Sequence, residues 1–427
     1  MMRGEDSGTH REGKSMSLDQ AATYDLKMRS KLHEMIRTSA EVFRCSLESV
    51  RYHYDLLRAR LAFLLSPGSH PSPVRVLFLS DQISRTNELQ FSPYYWFRKA
   101  LAEKAGFVFR PRRLVCGALP TASDLRGYDL IALKLQYKTS PADVERIAAH
   151  VVRHKEPGTK LAYFDGSDDL CVHWTAVLEY VDFYVKRHTF RDRSLYLKDH
   201  VGSTNLTDYV FRTHGAAALD GDSSQSGAVR PEYLPKIILG LTFGMDEWAL
   251  RLHQETPKAC LARERPHDVV CRADVPTNWM GYLRCPIAPV MDRLRSMGLK
   301  VITPEKRVSR EEFYQEMASA KIYISPFGYG EICGRDYECV IYGCLLIKPD
   351  MGHAEAYPDI YRAYETYVPV RWDYSDLEEK VEYYLNNPGE MARITAAASK
   401  VLDEAYSEEW FLGSVNKTSL KDIGLHL

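Results

Sequence analysis

Hydrophobic spacing divides the chain into three stretches. Between Ala21 and Leu65 there is neither Gly nor Pro, and Ile36, Ala40, Phe43, Leu47, Val50, Tyr54, Leu57, Leu61 and Leu64 recur in alternating steps of four and three residues. That is a heptad seam along one face of a long helix. It predicts either a homo-oligomer joined through residues 36–64 or a helix lying against the rest of its own chain. Ser66-Pro67-Gly68-Ser69-His70-Pro71-Ser72-Pro73 then stops every regular pattern and reads as a linker.

From Val74 the period changes. Short apolar runs bounded by breakers, the mark of buried strands, alternate with stretches of helical period. Strands are predicted at Val74–Leu79, near Phe107, and over Tyr128–Leu135, Lys160–Phe164 and Val181–His188, with helices over Tyr94–Lys104 and Pro141–His154. The segment Gly215–Gly227, rich in Ala, Ser, Asp and Gly, reads as a flexible surface loop. A second rhythm begins near His267 with the strand DVVCR, a helix over Tyr282–Met297, the strand LKVITP and a helix over Arg310–Ala320. It continues with strands Ile322–Ser325 and Cys344–Lys348, the run YVPV at Tyr367, and helices Ser375–Asn386 and Pro388–Tyr406.

Strands alternating with helices at this rhythm predict an α/β protein, two Rossmann-like domains facing a cleft, preceded by the long helix. The expected divisions are a disordered polar tail at 1–19, the helix at 20–66, a first domain at 74–255, a second at 256–408, and a tail or helix at 409–427 returning to the first domain. In open α/β sheets a ligand lies beyond the carboxyl ends of the strands. That rule brings the loops after Ser80, Phe164, Arg272, Ser325 and Pro349 to one cleft.

Composition narrows the class. Lys+Arg and Asp+Glu number 56 and 57, so no overall field favours nucleic acid or an anionic membrane. The nine cysteines include no C-x-x-C pair, which fits neither a disulfide framework nor a zinc knuckle and predicts a reducing interior. The first 20 residues lack the apolar core of a secretory signal, and no run approaches the ~18 apolar residues of a spanning helix. A soluble cytoplasmic protein is expected.

The stretch Lys321–Asp350, KIYISPFGYGEICGRDYECVIYGCLLIKPD, carries the densest chemistry. Two buried strands enclose a Gly-rich turn, Phe327-Gly328-Tyr329-Gly330, and a short helix entered through Glu331, Arg335, Asp336 and Glu338. Gly turns beside a helix N-terminus expose backbone N–H groups to a phosphate. Arg335 and Glu338 share a helix face, where an arginine can neutralise a diphosphate and a carboxylate can accept from a ribose diol. An intrahelical ion pair on a solvated face is the plainer alternative, and for Gly328 and Gly330 the plainer alternative is turn formation alone. Glu331 is placed to touch a sugar hydroxyl or to act as a first-turn acid. Lys348 ends a buried strand and needs a partner, which a phosphate or Glu338 would supply. Arg272 ends the first strand of the second half, a good place for a phosphate ligand, and Ser325 opens the turn. His353 reads as a structural loop histidine.

In the first half, Asp165, Asp168 and Asp169 sit at a strand tip. They can supply a catalytic base, hold a divalent cation, or cap a helix. The basic run Lys186, Arg187, His188, Arg191 and Arg193 meets an anionic group or forms a solvated edge.

With ISPFGYGE, GRDYE, YGCLLIKPD and LEEKVEYYLNNPGEMARI in view, the chain resembles the GT-B glycosyltransferases, in particular group 1 and the spore-maturation CgeB-like branch. The resemblance covers Ile322–Tyr406; the first half matches only as a rhythm of elements. It implies a nucleotide-diphosphate sugar held by the second domain and a glycan, lipid-linked sugar or small metabolite held mainly by the first. Glu338 corresponds to the ribose-binding acid, Arg335 to a diphosphate contact and Glu331 to the acid near the donor sugar. The sugar nucleotide is a co-substrate, and neither a cofactor nor a donor-site metal is implied. One departure is visible: six residues separate Glu331 from Glu338, where many retaining members have seven. Asp168 and Glu331 are the expected catalytic residues, with Asp165, Asp169 and Lys186 on the acceptor side. A nucleotide-sugar epimerase or hydrolase, and a sugar-nucleotide-binding scaffold without catalysis, are the competing readings.

Overall fold

The computed structural model describes residues 73–81, 89–114, 119–219, 225–256, 264–304 and 307–418. The heptad helix, its pairing through residues 36–64 and the polar tail lie outside that set. Residues 66–427 cluster as one compact unit.

Two parallel sheets organise it. The first runs in the order β2-β1-β3-β4-β5-β9, from β1 (Val74–Ser80), β2 (Phe107–Arg113), β3 (Leu130–Lys134), β4 (Lys160–Asp165), β5 (Phe183–Lys186) and β9 (Ile237–Leu239). Between β5 and β9 lie three short strands, β6 (His188–Phe190), β7 (His200–Val201) and β8 (Gln225–Ser226). The second sheet runs β11-β10-β12-β13-β15, from β10 (His267–Val270), β11 (Val301–Ile302), β12 (Ala320–Ile324), β13 (Leu345–Pro349) and β15 (Val368–Val370); β14 (Ala354–Ala356) lies apart. Every residue of β3 and of β13 is buried, as expected of strands covered on both faces.

The helices follow the predicted pattern where local chemistry agrees with it. Ser140 caps Pro141–His154 by accepting from the Asp143 N–H at 3.1 Å, and Val144, Ala148 and Val151 form the buried stripe. The expected helix Tyr282–Met297 is instead two, Trp279–Arg284 and Ile287–Ser296, because Pro286 has no N–H to give the preceding turn. Tyr94–Lys104 is likewise divided at Phe97 into Ser92–Trp96 and Arg98–Lys104. The single strand expected at Val181–His188 breaks at Arg187, and its second part joins another sheet. Within the expected surface loop Gly215–Gly227, Ala218 and Leu219 are buried.

The two sheets share their packing. One apolar cluster extends from Leu133 and Tyr163 of the first to Tyr323 and Leu346 of the second. An antiparallel ribbon of β6 and β14 joins the halves, with Glu355 opposite Thr189, and Arg193 pairs with Glu355 at 2.8 Å. Tyr337 donates to Thr242 Oγ1 at 2.7 Å across the same junction. The last helix, Glu408–Thr418, stacks Phe411 on Phe97 of the first half with centroids 4.3 Å apart. No helix among the described residues is long and apolar enough to cross a membrane.

Candidate functional site

Ser325 follows β12 directly, and its hydroxyl donates to the carboxylate of Asp336 on the Gly334–Ile341 helix. Asp336 also accepts from the Cys333 N–H at 3.0 Å and the Tyr361 hydroxyl at 2.8 Å, and its carboxylate lies 3.2 Å from Lys348 Nζ. All three of Ser325, Asp336 and Lys348 are fully buried. The partner that Lys348 needs is therefore Asp336, and this pair fixes the helix against the strand ends on either side of it.

Around that anchor two guanidinium groups converge. Arg335 donates to Ser325 Oγ at 3.0 Å and to the Pro326 carbonyl. Arg284, at the end of the Trp279–Arg284 helix, donates to the next carbonyl, Phe327, at 2.8 Å, and to Asp274. Burial depresses the proton affinity of Arg284, and the nearby Arg335 depresses it further. A Cβ on Gly328 would lie only 3.9 Å from an Arg284 nitrogen, so the glycine turn runs alongside the paired cations. The buried hydroxyls of Tyr323 and Tyr374 have no hydrogen-bond partner among the described residues, and both are electrostatically coupled to Arg335. This is a concentration of donors and positive charge.

Glu338 lies one helical turn beyond Arg335, half-buried, and accepts from the Tyr314 hydroxyl at 3.0 Å. Burial raises its carboxyl above the ordinary range, against the pull of Tyr314 and Arg310. Arg272 does not join the pair of arginines: its Nε donates to Glu316 at 2.7 Å as part of a two-point contact.

In the first half the acidic loop after β4 sorts its three carboxylates. Asp165 and Lys186 are direct neighbours across β4 and β5, and they meet at 2.8 Å with both side chains buried. Tyr184 adds a hydrogen bond to Asp165 at 2.8 Å. Burial opposes the charge on Asp165, but Lys186 and His173 outweigh it and hold the carboxyl well below its usual value. Asp169, also buried, accepts from the Cys171 N–H and pairs with His173 at 2.7 Å. Both of these aspartates turn inward; Asp168 alone remains exposed. Asp168 reaches solvent but has lost part of its water to the surrounding protein, and that desolvation, with Asp169 beside it, raises its carboxyl above the ordinary range against the pull of Arg187. Among the described residues no three His, Cys, Asp or Glu side chains are grouped to hold a metal ion.

The two halves meet at these loops. A Cβ on Gly330 would lie 1.5 Å from the Asp168 carbonyl oxygen, so the glycine turn presses directly on the acidic loop. The next residue, Glu331, is fully buried; Asn205 Nδ2 donates to its Oε1, and His353 Nε2 stands 3.4 Å from the same oxygen. His188 Nε2 lies 2.9 Å from the Asp168 carbonyl and so donates to it. Burial holds the His188 proton affinity down to about 4, which leaves the ring neutral and Nδ1 an acceptor. At this junction three buried acceptors have no partner among the described residues: Glu331 Oε2, Asn205 Oδ1 and His188 Nδ1.

Of the residues singled out from the sequence, Ser325, Gly328, Gly330, Glu331, Arg335 and Glu338 fall on one turn and helix, with Asp168 against them. Arg284 and Asn205 escaped that reading, and His188 entered it only as a member of the basic run after Val185. Arg284 stands in no motif, and only its place three residues after a glycine in a short amphipathic helix singles it out.

No family profile and no curated protein matches this sequence. Solved structures align along most of the chain at low identity. An alpha-glucosyltransferase in complex with UDP is 7% identical over 78% of this chain and 95% of its own, with a TM-score of 0.41. A HepE protein of Anabaena in complex with UDP-glucose is 11% identical over 81% and 98%, with a TM-score of 0.41. A glycosyltransferase from Rickettsia africae is 12% identical over 80% and 97%, with a TM-score of 0.42. These are likenesses of outline, and they name no activity for this chain.

Proposed function

We propose that the chain is a glycosyltransferase that moves a sugar from a nucleotide-diphosphate donor to a hydroxyl acceptor. The observation that carries this reading is the chemistry at the two ends of the site, where buried polar atoms have no partner among the described residues. The guanidinium groups of Arg284 and Arg335 stand with the unpartnered hydroxyls of Tyr323 and Tyr374 at one end, and the acceptors Glu331 Oε2, Asn205 Oδ1 and His188 Nδ1 gather at the other. A ligand that is anionic at one end and rich in hydroxyls at the other satisfies both sets, and a sugar diphosphate is such a ligand.

In this reading the diphosphate lies along the Gly328 turn between the two arginines, and Glu338 accepts from the ribose diol. Sugar hydroxyls donate to Glu331 and Asn205. Asp168 removes the proton from the acceptor hydroxyl as that oxygen bonds to the anomeric carbon. The bond from the same carbon to the diphosphate breaks, and the departing negative charge is stabilised by guanidinium groups already in place. Asp165, Asp169 and Lys186 shape the loop that presents Asp168. Lys348 and Asp336 hold the donor helix, and Arg272 contributes through its bond to Glu316.

Calorimetric titration with UDP, GDP, ADP, CMP and dTDP tests the donor half of the reading. One nucleotide should bind saturably, and Arg284→Ala and Glu338→Ala should each weaken it by about tenfold, the loss of one charge-assisted hydrogen bond. Unchanged affinity in both variants would sink the assignment.

A further inference from the structure

The turn and helix that carry the paired arginines also carry aromatic rings that nothing above uses. Tyr329, between Gly328 and Gly330, is 45% exposed, and its ring packs edge-on against Trp279 with centroids 5.8 Å apart. Tyr282, one helical turn after Trp279, is 38% exposed, and Val275 just ahead of the helix is 49% exposed. Polar groups edge the row from the first half: Ser203 Oγ lies 3.3 Å from the Tyr329 hydroxyl, and the His214 ring packs on Tyr282 at 5.0 Å. Exposed apolar surface concentrated beside a polar cleft marks a binding surface.

We infer that Trp279, Tyr329 and Tyr282 form a stacking platform for the pyranoside ring of a saccharide acceptor. This rests on the transferase reading above. A pyranose offers one face of C–H groups to an aromatic ring and hydroxyls at its edge, which matches a row of rings bordered by Ser203, His214 and the Tyr329 hydroxyl. Position decides between an acceptor sugar and the donor base. The base leaves the ribose at Glu338, whose neighbours are Tyr314 and Arg310. Tyr329 instead adjoins Gly330, which rests on Asp168 and leads into Glu331, at the end where the sugar changes hands. The acceptor is thus a glycan or glycoside, and the second half of the chain holds much of it.

Saturation-transfer NMR with the methyl pyranosides of glucose, galactose, mannose and N-acetylglucosamine, alongside UDP calorimetry, tests this. At least one pyranoside should show saturable transfer from protein aromatic protons. Tyr329→Ala and Tyr282→Ala, both at exposed positions, should weaken it about tenfold while UDP affinity changes less than twofold, as expected for the loss of one stacked ring. No pyranoside binding alongside normal UDP binding overturns the platform and leaves the donor site standing. Pyranoside binding equal to the parent in both variants also overturns it, as does loss of UDP with pyranoside binding retained, which would assign the rings to the base. Pyranoside binding lost in the variants of a protein that binds no nucleotide supports the platform and refutes the donor reading instead.

Discussion

Gly330→Ala probes the junction on which the site depends. Gly330 does not occupy the left-handed region, so its need for glycine is steric. The added methyl would lie 1.5 Å from the Asp168 carbonyl oxygen, 2.2 Å from its carbon and 2.9 Å from the Asp169 nitrogen. Since non-bonded heavy atoms rest ~3.5 Å apart, the loops must separate by about 2 Å. Neither side is a flexible side-chain end, so the cost should fall near the top of the roughly 1–3 kcal/mol range for overpacking. The same displacement carries Glu331 away from Asn205 and Asp168 away from the turn, so in the proposed reading affinity for the best-bound nucleotide, and transfer, should fall along with stability. Urea unfolding gives the first quantity and calorimetry the second. Gly389, inside the helix Pro388–Ala405 with open space around it, is the control: Gly389→Ala should stabilise by about 0.5 kcal/mol. A Gly330→Ala protein within about 0.5 kcal/mol of the parent, a change typical of neutral surface sites, and with unchanged affinity for the best-bound nucleotide would refute the contact.

Other outcomes follow from the buried charges. Asp336→Ala leaves Lys348 buried without its carboxylate and should cost about 3–5 kcal/mol in urea unfolding, whereas adding Lys348→Met should recover only the part due to the buried charge, since the Ser325, Cys333 and Tyr361 donors stay unmatched. Lys134, buried at the end of β3 and bonded to Gln90, releases its proton near pH 7 rather than 10.5, chiefly through burial and then the nearby Arg187. Between those values the unfolded chain binds the extra proton, so stability should rise with pH by up to about 1.4 kcal/mol per unit and be lost as pH falls toward 7; Lys134→Met should flatten that slope. In the proposed reading Asp168 serves as the base, which it does only when ionised; its carboxyl is raised, so transfer should fall on acidification at a pH above the ordinary aspartate range. Asp168→Asn should abolish that acid limb and most of the transfer while sparing nucleotide binding.

The parallel strands were legible in the sequence because they are continuous apolar runs between breakers, as in Val74–Ser80 and Leu345–Pro349. Their grouping into two sheets followed from the alternation with helices. Pairings between residues distant in sequence were not legible. Nothing local tells that Lys348 will meet Asp336, that β6 will leave the strand it seems to continue, or that Glu355 will lie opposite Thr189. The acidic loop gave its three aspartates as one cluster, and only the register of β4 against β5 directs Asp165 onto Lys186 and leaves Asp168 to the cleft. Arg284 was hidden for a similar reason: its value comes from lying beside Arg335, 51 positions further along the chain.

The most direct test of the donor site is a crystal structure of the protein grown with the nucleoside diphosphate that binds best. The account predicts a diphosphate within hydrogen-bond distance of Arg284 and Arg335 along the Gly328 turn, with ribose hydroxyls on Glu338. A diphosphate held elsewhere, with both arginines still bonded only to protein groups such as the Pro326 and Phe327 carbonyls, would contradict it.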